Sequence, residues 1–172
     1  MSKPWNNRVG TGKRRGRFLP VAGMLALGLA GSVAAPAGAA AGQPVRFSSS
    51  ISGTFSASGP TTLALAGTGN ASHLGNVKSY QGNVVITSGV VGVTNVTDTL
   101  TETLAAANGD TLTVLCQQTA TLSSGVYHGT DQWTVIGGTG RFSNATGSGT
   151  GDTYVYLGTN TFTKTATGAI TY

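Results

Sequence analysis

Thr99-Leu100-Thr101-Glu102-Thr103-Leu104, then Ala105-Ala106-Ala107-Asn108-Gly109-Asp110, then Thr111-Leu112-Thr113-Val114-Leu115-Cys116-Gln117-Gln118-Thr119-Ala120-Thr121-Leu122 is the stretch on which the fold turns. Threonine alternates with an apolar residue on both sides of Asn108-Gly109. Successive side chains of a strand point to opposite faces, so period two means strand. Asn-Gly tolerates positive φ and marks a tight reversal, so the two halves read as a hairpin. Leu112, Val114, Cys116, Ala120 and Leu122 share one face, with Leu115 the exception among the threonines opposite. Leu100 and Leu104 share a face with Glu102.

The same texture runs outward in both directions. Apolar residues alternate with Thr and Ser, and Gly, Asn and Asp interrupt the runs at short intervals. Nothing after Gly42 recurs at the three-and-four spacing of a helix. The pattern predicts strands at Arg46–Ser56, Thr61–Thr68, Asn76–Thr87, Gly92–Leu104, Thr111–Leu122, Val126–Ile136, Gly147–Leu157 and Thr161–Tyr172. With no room for crossover helices the pairing is antiparallel. Eight short strands in one domain close into a barrel or stack as a sandwich, and either hides the edges of a flat sheet. A β-helix would need a fixed-period repeat, and the sequence has none. A second hairpin is marked by Gly158-Thr159-Asn160. In the last strand Phe162, Ala166, Ile170 and Tyr172 oppose Thr161, Thr163, Thr165, Thr167 and Thr171. The apolar set faces in, and threonine suits a wet sheet face.

Residues 1–41 are of another kind. Lys3, Arg8, Lys13, Arg14, Arg15 and Arg17 precede an apolar stretch from Phe18 to Ala30, and small residues follow to Ala41. A basic segment, a short apolar segment and an Ala-x-Ala exit predict a cleaved export signal over 1–41 and a domain over 42–172. Cleavage is expected after Ala39, Ala40 or Ala41. Pro20, Gly23 and Gly28 break the apolar stretch, which is short for a membrane span of about 20 residues. Arg14-Arg15 resembles a twin-arginine signal, although Arg17 stands where an apolar residue belongs.

The whole chain is formally +5, but the leader holds six of its ten basic residues. The remainder keeps Arg46, Lys78, Arg141 and Lys164 against Asp98, Glu102, Asp110, Asp131 and Asp152. That balance of −1 leaves no basic patch for nucleic acid. The single cysteine, Cys116, cannot form an internal disulfide and reads as a small core residue.

Several polar residues fall on inward faces. Glu102, Gln118 and Lys164 do so by parity. Asp131 joins them because Tyr127, Gly129, Trp133 and Val135 share its parity. A three-residue loop around Asn108-Gly109 would set Glu102 across from Val114 or Cys116, with Leu100 near Gln118. An unpaired buried carboxylate is expensive. Either Glu102 or Asp131 pairs with Lys164 or sits in water at a barrel mouth, or these groups line a ligand cavity. The candidate lining is Glu102, Gln118, Asp131, Trp133 and Lys164, with no catalytic residue assignable and no cofactor implied.

Other chemistry finds no purchase. His73, His128 and Cys116 have no metal-ligand spacing, and no serine-nucleophile elbow is present. His128 lies off the inward face and is expected in solvent. Tyr154 and Tyr156 share a face and could be exposed. Asn70-Ala71-Ser72, Asn95-Val96-Thr97 and Asn144-Ala145-Thr146 match the glycosylation acceptor pattern, as chance allows in a chain this rich in Asn, Ser and Thr.

Val135-Ile136-Gly137-Gly138-Thr139-Gly140-Arg141-Phe142, followed by Ala145-Thr146-Gly147, fails the dinucleotide spacing. Its glycines permit a sharp turn, and Phe142 is placed to plug the core beneath it. The motif resembles the turn of the allene oxide cyclase and dirigent barrel families, and of secreted bacterial proteins similar to that barrel. The resemblance implies an eight-stranded antiparallel barrel with a central cavity. It implies a small hydrophobic ligand as partner, with isomerase or cyclase chemistry as one outcome. The competing expectation is a non-enzymatic extracellular structural or surface module, with a filled interior and a working threonine face.

Overall fold

The computed structural model describes residues 42–172. The leader expectation therefore lies outside the described residues. Eight strands follow one another: β1 (Val45–Gly59), β2 (Thr62–Ala71), β3 (Gly75–Ser88), β4 (Val96–Ala106), β5 (Thr111–Ser123), β6 (Val126–Gly138), β7 (Thr146–Tyr156) and β8 (Thr161–Thr171). Each pairs antiparallel with its sequence neighbour, and β8 pairs with β1 to close a barrel. A meander of this kind needs only short connections, and closure leaves no edge strand. All eight predicted strands are present. The fourth begins later than its sequence pattern suggests, because Gly89–Asn95 is a loop: the Val93 and Thr94 amides donate to the Val90 carbonyl at 3.1 and 3.0 Å.

Alternation places the core as parity requires. Phe47, Ile51, Leu65, Tyr80, Leu100, Leu104, Leu112, Val114, Cys116, Trp133, Phe162, Ala166 and Ile170 are buried inside. Outward threonines such as Thr101, Thr119, Thr163 and Thr165 are exposed. Tyr172 departs from the expected inward set: it is 41% exposed and lies past the last ladder residue of β8, its ring 4.9 Å from that of Phe142. In β3 a register irregularity between Val77 and Ser79 shifts the parity, so Val77 and Tyr80 both face in though three residues apart.

The two ends of the barrel differ. At one end the β6–β7 connection makes a 3-10 turn, Gly140–Phe142, that seats Phe142 fully buried under the barrel floor. Gly140 adopts φ +58 there, a conformation that glycine takes without strain. Thr139 ties the turn down: its Oγ accepts from the Thr111 amide at 3.0 Å. Leu74 and Ala145 close the same end. At the other end lie the β1–β2, β3–β4, β5–β6 and β7–β8 connections, and the barrel is open.

Candidate functional site

The barrel's polar interior is built by cross-strand register. On β4, Asp98, Leu100, Glu102 and Leu104 point in; Asp98 pairs with Gln118, Leu100 with Cys116 and Glu102 with Val114. The expected placement of Glu102 across from Val114 is met. Leu100 near Gln118 is corrected: Asp98 is Gln118's partner, since the hairpin loop sets the register two residues away. Gln118 in turn pairs with Asp131 of β6, and Lys164 of β8 pairs with Thr153 of β7.

Lys164 stands at the centre. Its Nζ lies 2.6 Å from Glu102 Oε1, 2.8 Å from Asp131 Oδ2 and 3.5 Å from Cys116 Sγ. Tyr80 donates its hydroxyl to the same Glu102 oxygen at 2.9 Å. An ammonium has three protons to give; Lys164 donates to Asp131 and Cys116, and Glu102 meets it as an ion pair. Burial opposes the Lys164 charge, but the facing carboxylates of Glu102 and Asp131 outweigh it and hold the pKa above the usual lysine value. Lys164 therefore stays protonated. Burial, then Glu102, push the Cys116 thiol well up, so it carries no thiolate. Burial and Glu102 likewise raise Tyr80. The cluster is a clamp of ion pairs around a protonated lysine, with Asp131 Oδ1 left buried without a hydrogen-bond partner.

Two glycines make room for it. A side chain on Gly151 would come within 2.7 Å of the Asp131 carboxylate, and one on Gly129 would run into the Gln118 amide. Each polar head lies across the bare backbone of a neighbouring strand, where no Cβ competes for the space.

Above this clamp, towards the open end, the filling changes. A cavity of about 50 Å³ is walled by Leu65, Val84, Val96, Leu100, Ala120, Tyr127 and Phe162, and rimmed by half-buried Phe55, Leu63, Ile86, Val91, Val155 and Leu157. Its polar lining is Asp98, Gln118 and Thr153. Asp98 Oδ1 and Thr153 Oγ1 are buried with no hydrogen-bond partner. Burial raises the Asp98 carboxyl to about 6; the Lys164 charge lowers it and Asp131 adds to the rise. The Tyr127 hydroxyl pins the β3–β4 loop beside the opening, donating to the Thr94 carbonyl at 2.8 Å and accepting from the Gly92 amide at 2.9 Å. Below the clamp, a void of about 10 Å³ beside Glu102, Lys164 and Trp133 is at the limit of a single water, which needs roughly 10–15 Å³.

The five residues expected to line one cavity all face the interior, but they separate. Glu102, Asp131 and Lys164 bond one another. Trp133 packs on the closed side, edge-on to Phe47 with ring centroids 5.3 Å apart, its indole N–H donating to the Thr150 carbonyl at 3.2 Å. Only Gln118 reaches the open cavity. Asp98, Thr153 and Tyr80 were missed. Asp98 shares the parity of Leu100 and Glu102, and Thr153 lies between exposed Tyr154 and outward Asp152, so both carried a period-two signal. Tyr80 did not, because the β3 irregularity breaks the count. On the outside, His128 stacks on Tyr154 with centroids 4.5 Å apart and meets Asp152 at 3.3 Å, all three exposed. Among the described residues, no group of three or more His, Cys, Asp or Glu is arranged to hold a metal.

No family model matches the chain, and no curated protein does. Among solved structures, a pterocarpan synthase dirigent protein is similar at 16% identity and TM-score 0.47, covering 76% of this chain and 91% of that one.

Proposed function

We propose that this protein is an exported barrel that holds the apolar part of a small molecule in its open mouth. The observation that carries the reading is the cavity beside Ala120 and Val96: an apolar wall with unpartnered Asp98 and Thr153 atoms at its base. Ligand sites are commonly apolar pockets with a few placed polar groups, and barrel mouths are a favoured location. At about 50 Å³ the space is far below the roughly 300 Å³ of a pocket that encloses a drug-sized ligand. One end of a molecule enters; the remainder rests on the rim at Phe55, Val91 and Leu157. Export follows from the basic, apolar and small-residue segments of the leader. Binding is favoured over isomerase or cyclase chemistry because Lys164 is held protonated between Glu102 and Asp131 and Cys116 stays protonated.

The test is titration with N-phenyl-1-naphthylamine, a neutral fluorophore that brightens in apolar surroundings. The protein is expected to bind it saturably. Ala120→Leu fills the cavity and is expected to weaken binding at least tenfold while the thermal melt stays cooperative; Thr121→Val, on the outer face, is expected to change neither. Binding that survives Ala120→Leu unaltered overturns the reading, and absence of binding together with self-association would shift the working face to the threonine exterior.

A further inference from the structure

Resting on that reading, the structure assigns the mouth to a particular class of ligand. We infer that it takes an apolar amine, an ammonium head on an alkyl or aryl body, with the head on Asp98 and Thr153 and the body along the rim. Three features of the interior lead there.

The first is charge. Glu102, Asp131 and Asp98 are buried carboxylates, and Lys164 is the single buried cation among the described residues. Arg46, Lys78 and Arg141 are all exposed. Glu102 and Asp131 both ion-pair with the Lys164 ammonium, and among the described residues no ion pair joins Asp98 to a cation. Asp98 is thus a buried acid with no cation of its own.

The second is a set of orphaned atoms: besides Asp131 Oδ1 within the clamp, Asp98 Oδ1 and Thr153 Oγ1 are buried without a hydrogen-bond partner. Asp98 is 7% exposed and Thr153 is 2% exposed, and each lines the cavity with an oxygen that has no partner. A buried polar atom left without a partner is costly, and native proteins rarely tolerate one. An ionised carboxylate only accepts, and a hydroxyl oxygen can accept as well as donate, so a single donor placed between them would serve both. An ammonium supplies several donors and the missing positive charge together, through charge-assisted hydrogen bonds.

The third is what surrounds Asp98. From β5 it faces Gln118, from β6 Asp131 and Tyr127, from β7 Thr153 and from β8 Lys164; β1, β2 and β3 present Phe55, Leu63, Leu65, Val84 and Ile86. Among the described residues, no arginine or second lysine lines the cavity to meet an anionic head. A fatty carboxylate would add a negative charge to a site that already has one too many.

Octylamine, octanol and octanoate share one apolar body and differ in the head. Each is set to displace N-phenyl-1-naphthylamine at pH 7.5. The amine is expected to compete at roughly ten- to a hundredfold lower concentration than octanoate, the range that one charge-assisted hydrogen bond supplies. Its advantage should collapse in Asp98→Asn and shrink in Thr153→Val. It should also fade as the pH drops through 6, where the Asp98 carboxyl takes up its proton. Thermal melts of both variants show that loss of preference is not loss of fold. Equal competition by amine and octanoate, or an amine preference kept in Asp98→Asn, overturns the inference and leaves the apolar mouth in place. Failure of the fluorophore itself to bind overturns both.

Discussion

The two ends of this barrel are made from the same repeating pattern and end up opposite in kind. At the closed end large side chains meet: Phe47, Tyr80, Trp133 and Phe142 fill the bore, and Phe142 arrives from a loop and not from a strand. At the open end the inward positions carry Val96, Ala120 and Thr153, too small to touch across the bore, and the β3–β4 loop contributes only half-buried Val91. Between them the Glu102–Lys164–Asp131 cluster seals one half from the other. A barrel of fixed strand number has a fixed bore. Whether it is a core or a cup is decided by side-chain size at a handful of positions.

The sharpest way to break that division is at the seal. Lys164→Ala leaves Glu102 and Asp131 buried without their cation and is expected to cost about 3–5 kcal/mol in urea unfolding. Changing all three to apolar residues of similar volume should recover most of that loss, since it is the stranded charge that is expensive. The closed end comes next: Phe142→Ala opens a hole in a packed core and should cost about 3 kcal/mol by the same measurement. The open end responds with the other sign. The folded state holds the Asp98 proton up to about pH 6, above the ordinary carboxyl value of 3.8. Between those two values the native state binds more protons than the unfolded chain, so this group's contribution to stability falls as the pH rises through the window. Asp98→Asn is therefore expected to stabilise the protein by about 2 kcal/mol at pH 8, with the gain over the parent shrinking as the pH approaches 4 in paired melts. Smallest of all, Val91→Ala on the rim should shift stability by less than about 1 kcal/mol, because a half-buried loop residue loses little packing. Should Val91→Ala cost as much as Phe142→Ala, the mouth is a second core and the contrast fails.

Much of the strand arrangement could be read from parity alone. Thr99–Leu122 declared a hairpin and sorted Leu100, Glu102 and Leu104 onto the inner face with Val114 and Cys116, because a half-buried antiparallel strand needs that alternation. Asp131 and Lys164 were found by the same count. Tyr80 escaped it because one irregular residue in β3 flips the sequence phase, and turn chemistry does not announce such a slip. The Gly92 strand start failed for a related reason: Val90, Val91 and Val93 look strand-like, yet Gly89 and Gly92 adopt φ +90 and +79 and turn the chain instead. Asp98 is legible by the same count, since it shares the parity of Leu100 and Glu102 on β4.

What the residues determined by themselves is the alternation, the turns, the inward set of polar groups and the near-neutral balance once residues 1–41 are set apart. These are local properties, fixed by side-chain period and backbone sterics. What only the tertiary structure decided is which inward groups meet. Lys164 reaches Glu102 and Asp131 across the bore, from β8 to β4 and β6, while Asp98, four residues before Glu102 on β4, is left facing the open cavity. That difference depends on closure of the barrel, a relation between strands far apart in the chain.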